Sequence, residues 1–534
     1  MRTDRPLKIL VSDTLRREGL EVLDRAEGFE IDYRPGLGEE DLARAIPPYD
    51  GLIIRSASRV TARVIEAGAN LRVIGRAGIG VDNVDVPAAS RRGIVVMNTP
   101  TGNAVTTAEH ALALLLSVAR KVPRADASMK DGRWDKKELQ GRELGGKTLG
   151  IIGLGTIGRL VAERAKGLRM SVIAYDPAVS LDRALGLGIS LVSLESLYKR
   201  SDAITVHTPL THETRGMVGD AAIAKMKPGV LLVNTARGGI FDEQALLRGL
   251  SSGRIGGVGI DVYTEEPPGK SPLVMHENVV ATPHLGASTL EAQRRIAVEI
   301  AQQVTDYLQS GTVVSSVNVP SVPREVAPVL GPYLGLARRL GQFLAQAEEF
   351  EPAAIALELQ GEAAELSGAP MVASAVAGLL GKYLEEPINP VSAPTLAEDR
   401  GIDVTEKKST HKSEFSTMLI LTVTANGGGQ FVVSGTLASD RSPRLVHWGS
   451  HELDADLEGS ILAMKNGDRP GVVGAVGGLL GELGINISRI QMGRAVASGE
   501  AASLWSLDTN LSADVMQKLR ALPDVLSAHC VYVR

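Results

Sequence analysis

The chain has a single cysteine, Cys530, among 534 residues. That excludes an intrachain disulfide and a cysteine-based zinc cage, and the thiol is expected to pack as a small apolar group. Aromatic residues are scarce, with six Phe, nine Tyr and three Trp, so stacking surfaces are few. An excess of positive charge is also missing. The formal net charge of −5 gives no reason to expect a nucleic-acid partner. Long apolar runs are absent too: mostly apolar stretches such as Ala111–Ala119 are far too short to cross a bilayer. The segment MRTDRPLKILV has basic residues but only a very short apolar run, so no signal peptide is expected. The expectation is a chain without a membrane partner, in the reducing cytoplasm. What the sequence does have is length enough for several domains, each with its own core, and 58 glycines.

Three of those glycines organise the rest. TLGIIGLGTIG, Thr148 to Gly158, reads as a short buried strand, a glycine turn, and a helix beginning at Arg159. Gly153, Gly155 and Gly158 fit G-x-G-x-x-G. The first permits the tight turn, the second lets backbone approach a pyrophosphate, and the third lets helix pack on strand. Thr156 and Ile157, between the second and third glycines, join them as candidate cofactor contacts. A second strand, Ser171–Tyr175, ends at Asp176, which lies 176 − 158 = 18 residues past the last glycine. That is near the offset of the acid that holds a ribose 2′-hydroxyl. An aspartate there repels a 2′-phosphate, so NAD is favoured over NADP.

Alternating strands and helices flank this unit on both sides, the pattern of parallel α/β sheets. In such sheets ligands gather at the carboxyl ends of strands. Three arginines stand at or just past strand ends in the first hundred residues, at 55, 59 and 76, beside small residues, which suggests an anion site, the alternative being solvated surface charge. The helix expected over Thr106–Lys121 is apolar on most sides, and His110 on it reads as a packing or interface histidine. Arg133, Trp134, Lys136 and Lys137 form a basic cluster, either an exposed turn or a segment reaching a neighbouring subunit. Beyond Asp176, strand ends carry His207, Thr208, Arg237, Asp261, the acidic pair Glu265–Glu266, and His284.

Arg237, Glu266 and His284 have complementary chemistry. Hydride transfer from a secondary alcohol to nicotinamide requires loss of the hydroxyl proton. Imidazole, with an ordinary pKa of about 6.5, is the natural base. A carboxylate on its other nitrogen fixes the tautomer, and an arginine grips a substrate carboxylate bidentately. By spacing alone Glu265 rivals Glu266.

NTARGG, DVYTEEPP and PHLGAST, together with GLGTIG, resemble the D-isomer-specific 2-hydroxyacid dehydrogenases. The resemblance implies catalytic roles for Arg237, Glu266 (the acid immediately before Pro267) and His284. RSASRVT, GRAGIGVDNVD and NTPTGNAVTTAEH are similar to the branch of that family that oxidises 3-phosphoglycerate for serine synthesis. It implies a flavodoxin-like substrate domain from residues 1–103 and 287–318, interrupted by a Rossmann-type NAD domain at 104–286. It places Arg55, Ser56, Arg76 and Asn103 near substrate, and His207, Thr208, Thr235, Ala236, Asp261, Gly286 and Ala287 near NAD. It identifies no metal site. Residues 320–455 resemble that branch's α/β intervening domain, in which Leu419–Val423 and Gln430–Thr436 read as paired strands and Glu398–Lys412 as a charged loop. Residues 459–534 read β-α-β-β-α-β and resemble an ACT domain, an amino-acid-sensing module. There Asp468 and Asn486 match residues that meet an effector, L-serine. A homotetramer is implied by analogy. Two other readings stay open: a reductase of another 2-oxo acid such as glyoxylate or hydroxypyruvate, and a non-catalytic NAD sensor.

Overall fold

A computed structural model describes residues 5–320, 326–384, 388–409, 415–495 and 499–533. It divides into two compact units, one of Met1–Leu15, Glu21–Asn98 and Ile300–Arg534, the other of Arg16–Leu20 and Thr99–Glu299.

The first unit begins with a parallel sheet of β1 (Leu7–Val11), β2 (Phe29–Tyr33), β3 (Gly51–Ile54), β4 (Val73–Arg76) and β5 (Val95–Met97). Its order, β2-β1-β3-β4-β5, is the flavodoxin-like one. All four residues of β3 are buried, as expected for a parallel strand covered on both faces. The chain returns to this sheet after residue 300. Gly75 lacks a Cβ that would lie 2.6 Å from Val304 Cγ2, so the returning helix sits directly on β4. The side chain of Asn318 then bonds the backbone of Ile94 and Val96.

The second unit holds a parallel sheet of β6 (Thr148–Ile152), β7 (Ser171–Tyr175), β8 (Ser190–Leu191), β9 (Ala203–Val206), β10 (Val230–Asn234), β11 (Ile255–Ile260) and β12 (Val279–Ala281). The order is β12-β11-β10-β9-β6-β7-β8: the doubly wound Rossmann order with one strand added beyond the sixth. The topological switch lies between β6 and β9, where a dinucleotide is received. The compact units part at 98/99 and 299/300, whereas the motifs put the joins at 103/104 and 286/287. Packing accounts for the shift. A Cβ on Gly102 would meet Ile296 Cγ1 at 2.6 Å, and Thr106 Oγ1 lies 3.2 Å from Thr289 Oγ1.

Two further sheets complete the first unit. One contains β13 (Pro352–Gly361), β14 (Asp403–Ser409), β15 (Thr417–Ala425), β16 (Gln430–Leu437), β17 (Pro443–Trp448) and β18 (His451–Asp456), in the order β14-β13-β15-β16-β17-β18. The paired strands expected over 419–436 are β15 and β16. The expected loop over Glu398–Lys412 is corrected: Asp403–Ser409 is a strand, parallel to β13, and residues 410–412 lie outside the described residues. As an edge strand it keeps its charged side chains in solvent, which is why its composition reads as a loop. The last sheet is antiparallel, with β19 (Gly459–Gly467), β20 (Ile487–Ala495), β21 (Glu500–Leu507) and β22 (Val525–Val533) ordered β20-β21-β19-β22. Helices Val472–Glu482 and Ala513–Arg520 complete β-α-β-β-α-β. Both sheets share one core, in which Phe343 meets Trp448 edge-on and Ile461, Ala463 and Val531 are buried. Among the described residues no helix is long and apolar enough to cross a membrane.

Candidate active site

The glycine turn is built from what each missing side chain permits. Gly153 has φ +92°, and a Cβ there would stand 2.5 Å from the His207 carbonyl oxygen. On Gly158 it would stand 2.0 Å from the carbonyl oxygen of Gly153. On Gly155 it would meet nothing within 4 Å, so the space above that residue is open. The helix starts at Thr156, with Gly155 as N-cap, three residues before the expected Arg159. Gly158 is tolerated in the first helical turn because that turn must lie against Gly153.

Asp176 accepts the N–H of Leu154 at 2.7 Å and that of Ala178 at 2.8 Å, tying the glycine turn to the end of β7. Just past β9 and β10, Thr208 Oγ1, Thr235 Oγ1 and His207 Nδ1 are buried polar atoms without a hydrogen-bond partner. Burial pushes the His207 imidazole down to about 4, so it is neutral near pH 7. Orphaned polar atoms beside an open space over a glycine fit a bound dinucleotide.

The three candidate reacting side chains stand on neighbouring strand ends. Asn234, at the end of β10, accepts the Ala236 N–H at 2.9 Å and donates to the Arg237 carbonyl at 2.9 Å, which shapes the turn presenting Arg237. A Cβ on the next residue, Gly238, would lie 1.8 Å from the Tyr263 carbonyl oxygen, so this turn lies flush on the segment leading to Glu266. Gly238→Ala is therefore expected to displace Arg237 and lower kcat by about 10- to 100-fold, measured as steady-state turnover. Glu266 accepts the Tyr263 N–H with one oxygen, at 3.1 Å, and meets His284 Nδ1 with the other, at 2.8 Å. The acid that reaches His284 is thus Glu266. A carboxylate there calls for Nδ1–H and leaves Nε2 as the basic nitrogen. Tyr263 packs beneath; burial and then the charges of Asp261 and Glu266 push its hydroxyl up to about 12, so it stays protonated and donates to the Thr282 carbonyl at 2.9 Å.

His284 has φ +52°, a conformation costing a non-glycine residue about 1–2 kcal/mol. Its neighbours impose it. Asp261, wholly buried, accepts from Thr282 Oγ1 at 2.6 Å and from the N–H groups of Leu285 at 2.7 Å and Gly286 at 2.9 Å. Burial would raise this carboxyl, but bonds from His110, Thr282 and the Leu285 N–H outweigh it and hold the pKa below the ordinary carboxylate value. His110 Nε2 lies 3.2 Å from Asp261 Oδ1. His110, read from the sequence as a packing or interface histidine, thus packs against this carboxylate and against Thr282.

Arg55, Ser56 and Arg76 belong to the first unit. Arg55 and Ser56 follow β3 and Arg76 ends β4, and Ile54 pairs with Arg76 across the ladder. The loop after β3 is held by Asn83, which donates to the carbonyls of Arg55 and Ser58 at 2.7 Å, and by Asp13, which accepts from Ser58. A Cβ on Gly78 would lie 1.5 Å from Arg76 Nη1, so the guanidinium lies over that glycine. Asn103 sits with the second unit as the N-cap of the Ala104–Arg120 helix, its Oδ1 buried and unpartnered. At the strand ends of the last sheet, Asp468, just past β19, pairs with Arg494 at 3.3 Å, and Asn486, just before β20, donates to Asp508 at 2.7 Å.

Residues 112–286 match the model of the D-isomer specific 2-hydroxyacid dehydrogenase NAD binding domain, and residues 329–448 match that of the D-3-phosphoglycerate dehydrogenase intervening domain. Two relatives bear the name D-3-phosphoglycerate dehydrogenase. That of Synechocystis sp. is 39% identical over 98% of this chain and 94% of its own length. That of Archaeoglobus fulgidus is 37% identical over 98% and 99%. Among solved structures, the chain is similar to apo D-lactate dehydrogenase from Escherichia coli (32% identity, TM-score 0.51, 57% of this chain and 98% of that one). It is also similar to D-lactate dehydrogenase from Aquifex aeolicus complexed with NAD and lactic acid (27% identity, TM-score 0.52, 59% and 100%).

Proposed function

The chain belongs to the D-3-phosphoglycerate dehydrogenase family and is an NAD-dependent oxidoreductase of 3-phosphoglycerate, and we propose that Arg237, Glu266 and His284 carry its chemistry. NAD⁺, which Gly153, Gly155, Gly158 and Asp176 would hold, would supply the acceptor for the hydride on the carbon bearing the secondary alcohol. His284 Nε2 takes the hydroxyl proton as that hydride leaves, and in reduction the protonated ring returns it to the forming alkoxide. Glu266, on Nδ1, keeps the ring oriented and in the right tautomer. Arg237 binds the substrate carboxylate and polarises the adjacent oxygen. The observation that carries this reading is the 2.8 Å contact of His284 Nδ1 with Glu266 beside the Arg237 turn.

In this reading Gly155, Thr156 and Ile157 face the pyrophosphate, and Asp176 takes the ribose hydroxyls. His207, Thr208, Thr235, Ala236, Arg237, Asp261, His284, Gly286 and Ala287 flank the nicotinamide. Arg55, Ser56, Arg76 and Asn103 receive the substrate, the arginines supplying the charge for its phosphate. L-serine acts at the β-α-β-β-α-β module through Asp468, which takes an ammonium group, and Asn486, which offers donor and acceptor. A homotetramer in the cytoplasm completes the proposal.

Purified protein given NAD and 3-phosphoglycerate at alkaline pH is expected to produce NADH, followed by absorbance. No NADH with this substrate would defeat the assignment. Millimolar L-serine is expected to slow the reverse reaction; an unchanged rate would leave the module with an assembly role only.

A further inference from the structure

We propose that His110 is a positioning residue for His284, acting through Asp261 and Thr282. The proposal rests on the reading of His284 as the base.

Asp261 has no exposed surface, so its charge must be met by donors inside the protein. Thr282 has one hydroxyl hydrogen, and the 2.6 Å distance to Asp261 Oδ1 shows where it points. Thr282 Oγ1 can then only accept from His110 Nε2, 3.0 Å away. This requires the hydrogen of His110 on Nε2, shared between Thr282 and Asp261 Oδ1 at 3.2 Å. His110 thus supplies the last donor to a carboxylate that grips the chain on both sides of His284: Thr282 two residues before it, and the Leu285 and Gly286 N–H groups after it.

The same helix face adds further bonds. Thr107 Oγ1 donates to the Gly286 carbonyl at 2.8 Å, and Thr106 meets Thr289. Helix Ala104–Arg120 is therefore the fixed side of a clamp, Asp261 is its contact, and the strained His284 backbone is what it holds. A general base is useful only within hydrogen-bond reach of its proton. Loss of the His110 donor frees the Thr282 hydroxyl to turn, loosens Asp261 and lets His284 Nε2 drift.

The test uses the full-length enzyme with 3-phosphoglycerate and NAD, comparing His110→Leu, His110→Gln and Thr282→Val with the parent. His110→Leu is expected to lower kcat by about 10- to 100-fold, with KM and NADH affinity each within about threefold of the parent. His110→Gln keeps an N–H donor and should recover most of that loss. Thr282→Val should lower kcat in the same direction, and combining it with His110→Leu should add little. Parent-like kcat in His110→Leu, or a His110→Gln variant as slow as His110→Leu, overturns the proposal. If His110→Leu does not fold, parent-like kcat in both other variants overturns it. His284→Ala in the same assay separates the two ideas. A fast His284→Ala sinks the base assignment itself, whereas an inactive His284→Ala beside a normal His110→Leu sinks only the clamp.

Discussion

His284→Ala is expected to lower kcat for 3-phosphoglycerate oxidation by about 10²- to 10⁴-fold and to leave NADH affinity within about threefold of the parent. The imidazole is half exposed, with a side-chain accessibility of 51%, so its removal opens no core cavity and folding should survive. What disappears is the group that accepts the hydroxyl proton. Glu266 does not replace it: one oxygen stays with the Tyr263 N–H, and the other met Nδ1, across the ring from the Nε2 that faces the hydroxyl. Steady-state kinetics and NADH titration separate the two effects. A variant that kept near-parent turnover would show that the proton leaves by another route.

The second large effect comes from the glycine turn and appears as a contrast. Gly158→Ala puts a methyl group 2.0 Å from the Gly153 carbonyl oxygen. The helix must then move off the strand, at a cost of about 1–3 kcal/mol of overpacking, and both melting temperature and NADH affinity are expected to fall. Gly155→Ala puts the methyl into open space at φ −69°, a conformation alanine adopts freely. Its melting temperature should match the parent's, but NADH should bind at least about tenfold more weakly, because the methyl occupies the approach to the pyrophosphate. Calorimetric titration and thermal unfolding of the two variants check this. Equal NADH affinity in Gly155→Ala and the parent would mean that the cofactor does not cross this glycine.

The division between legible and hidden features has physical causes. Gly153, Gly155 and Gly158 were readable because each serves a short-range steric demand written into consecutive residues. The neighbouring places of Arg237 and His284 were readable because a parallel sheet brings successive strand ends to one edge. The choice between Glu265 and Glu266 was not available from spacing, since it depends on which way the segment after Asp261 turns against Gly238. The partners of His110 were not legible, because Asp261 and Thr282 lie far along the chain, at the ends of strands that its helix packs beside. β14 was hidden by its exposed charges, and the helix start was misplaced because a glycine in a first turn reads as loop.

The central proposal is that this dehydrogenase acts on a phosphorylated 2-hydroxy acid through Arg237, Glu266 and His284. Its most direct test is a comparison of kcat/KM with NADH for 3-phosphohydroxypyruvate, hydroxypyruvate and glyoxylate. A site built to bond a phosphate is left with unpaired charged groups when the phosphate is missing, so the phosphorylated substrate should be favoured by about 100-fold or more. Equal or higher kcat/KM for hydroxypyruvate or glyoxylate would contradict the account.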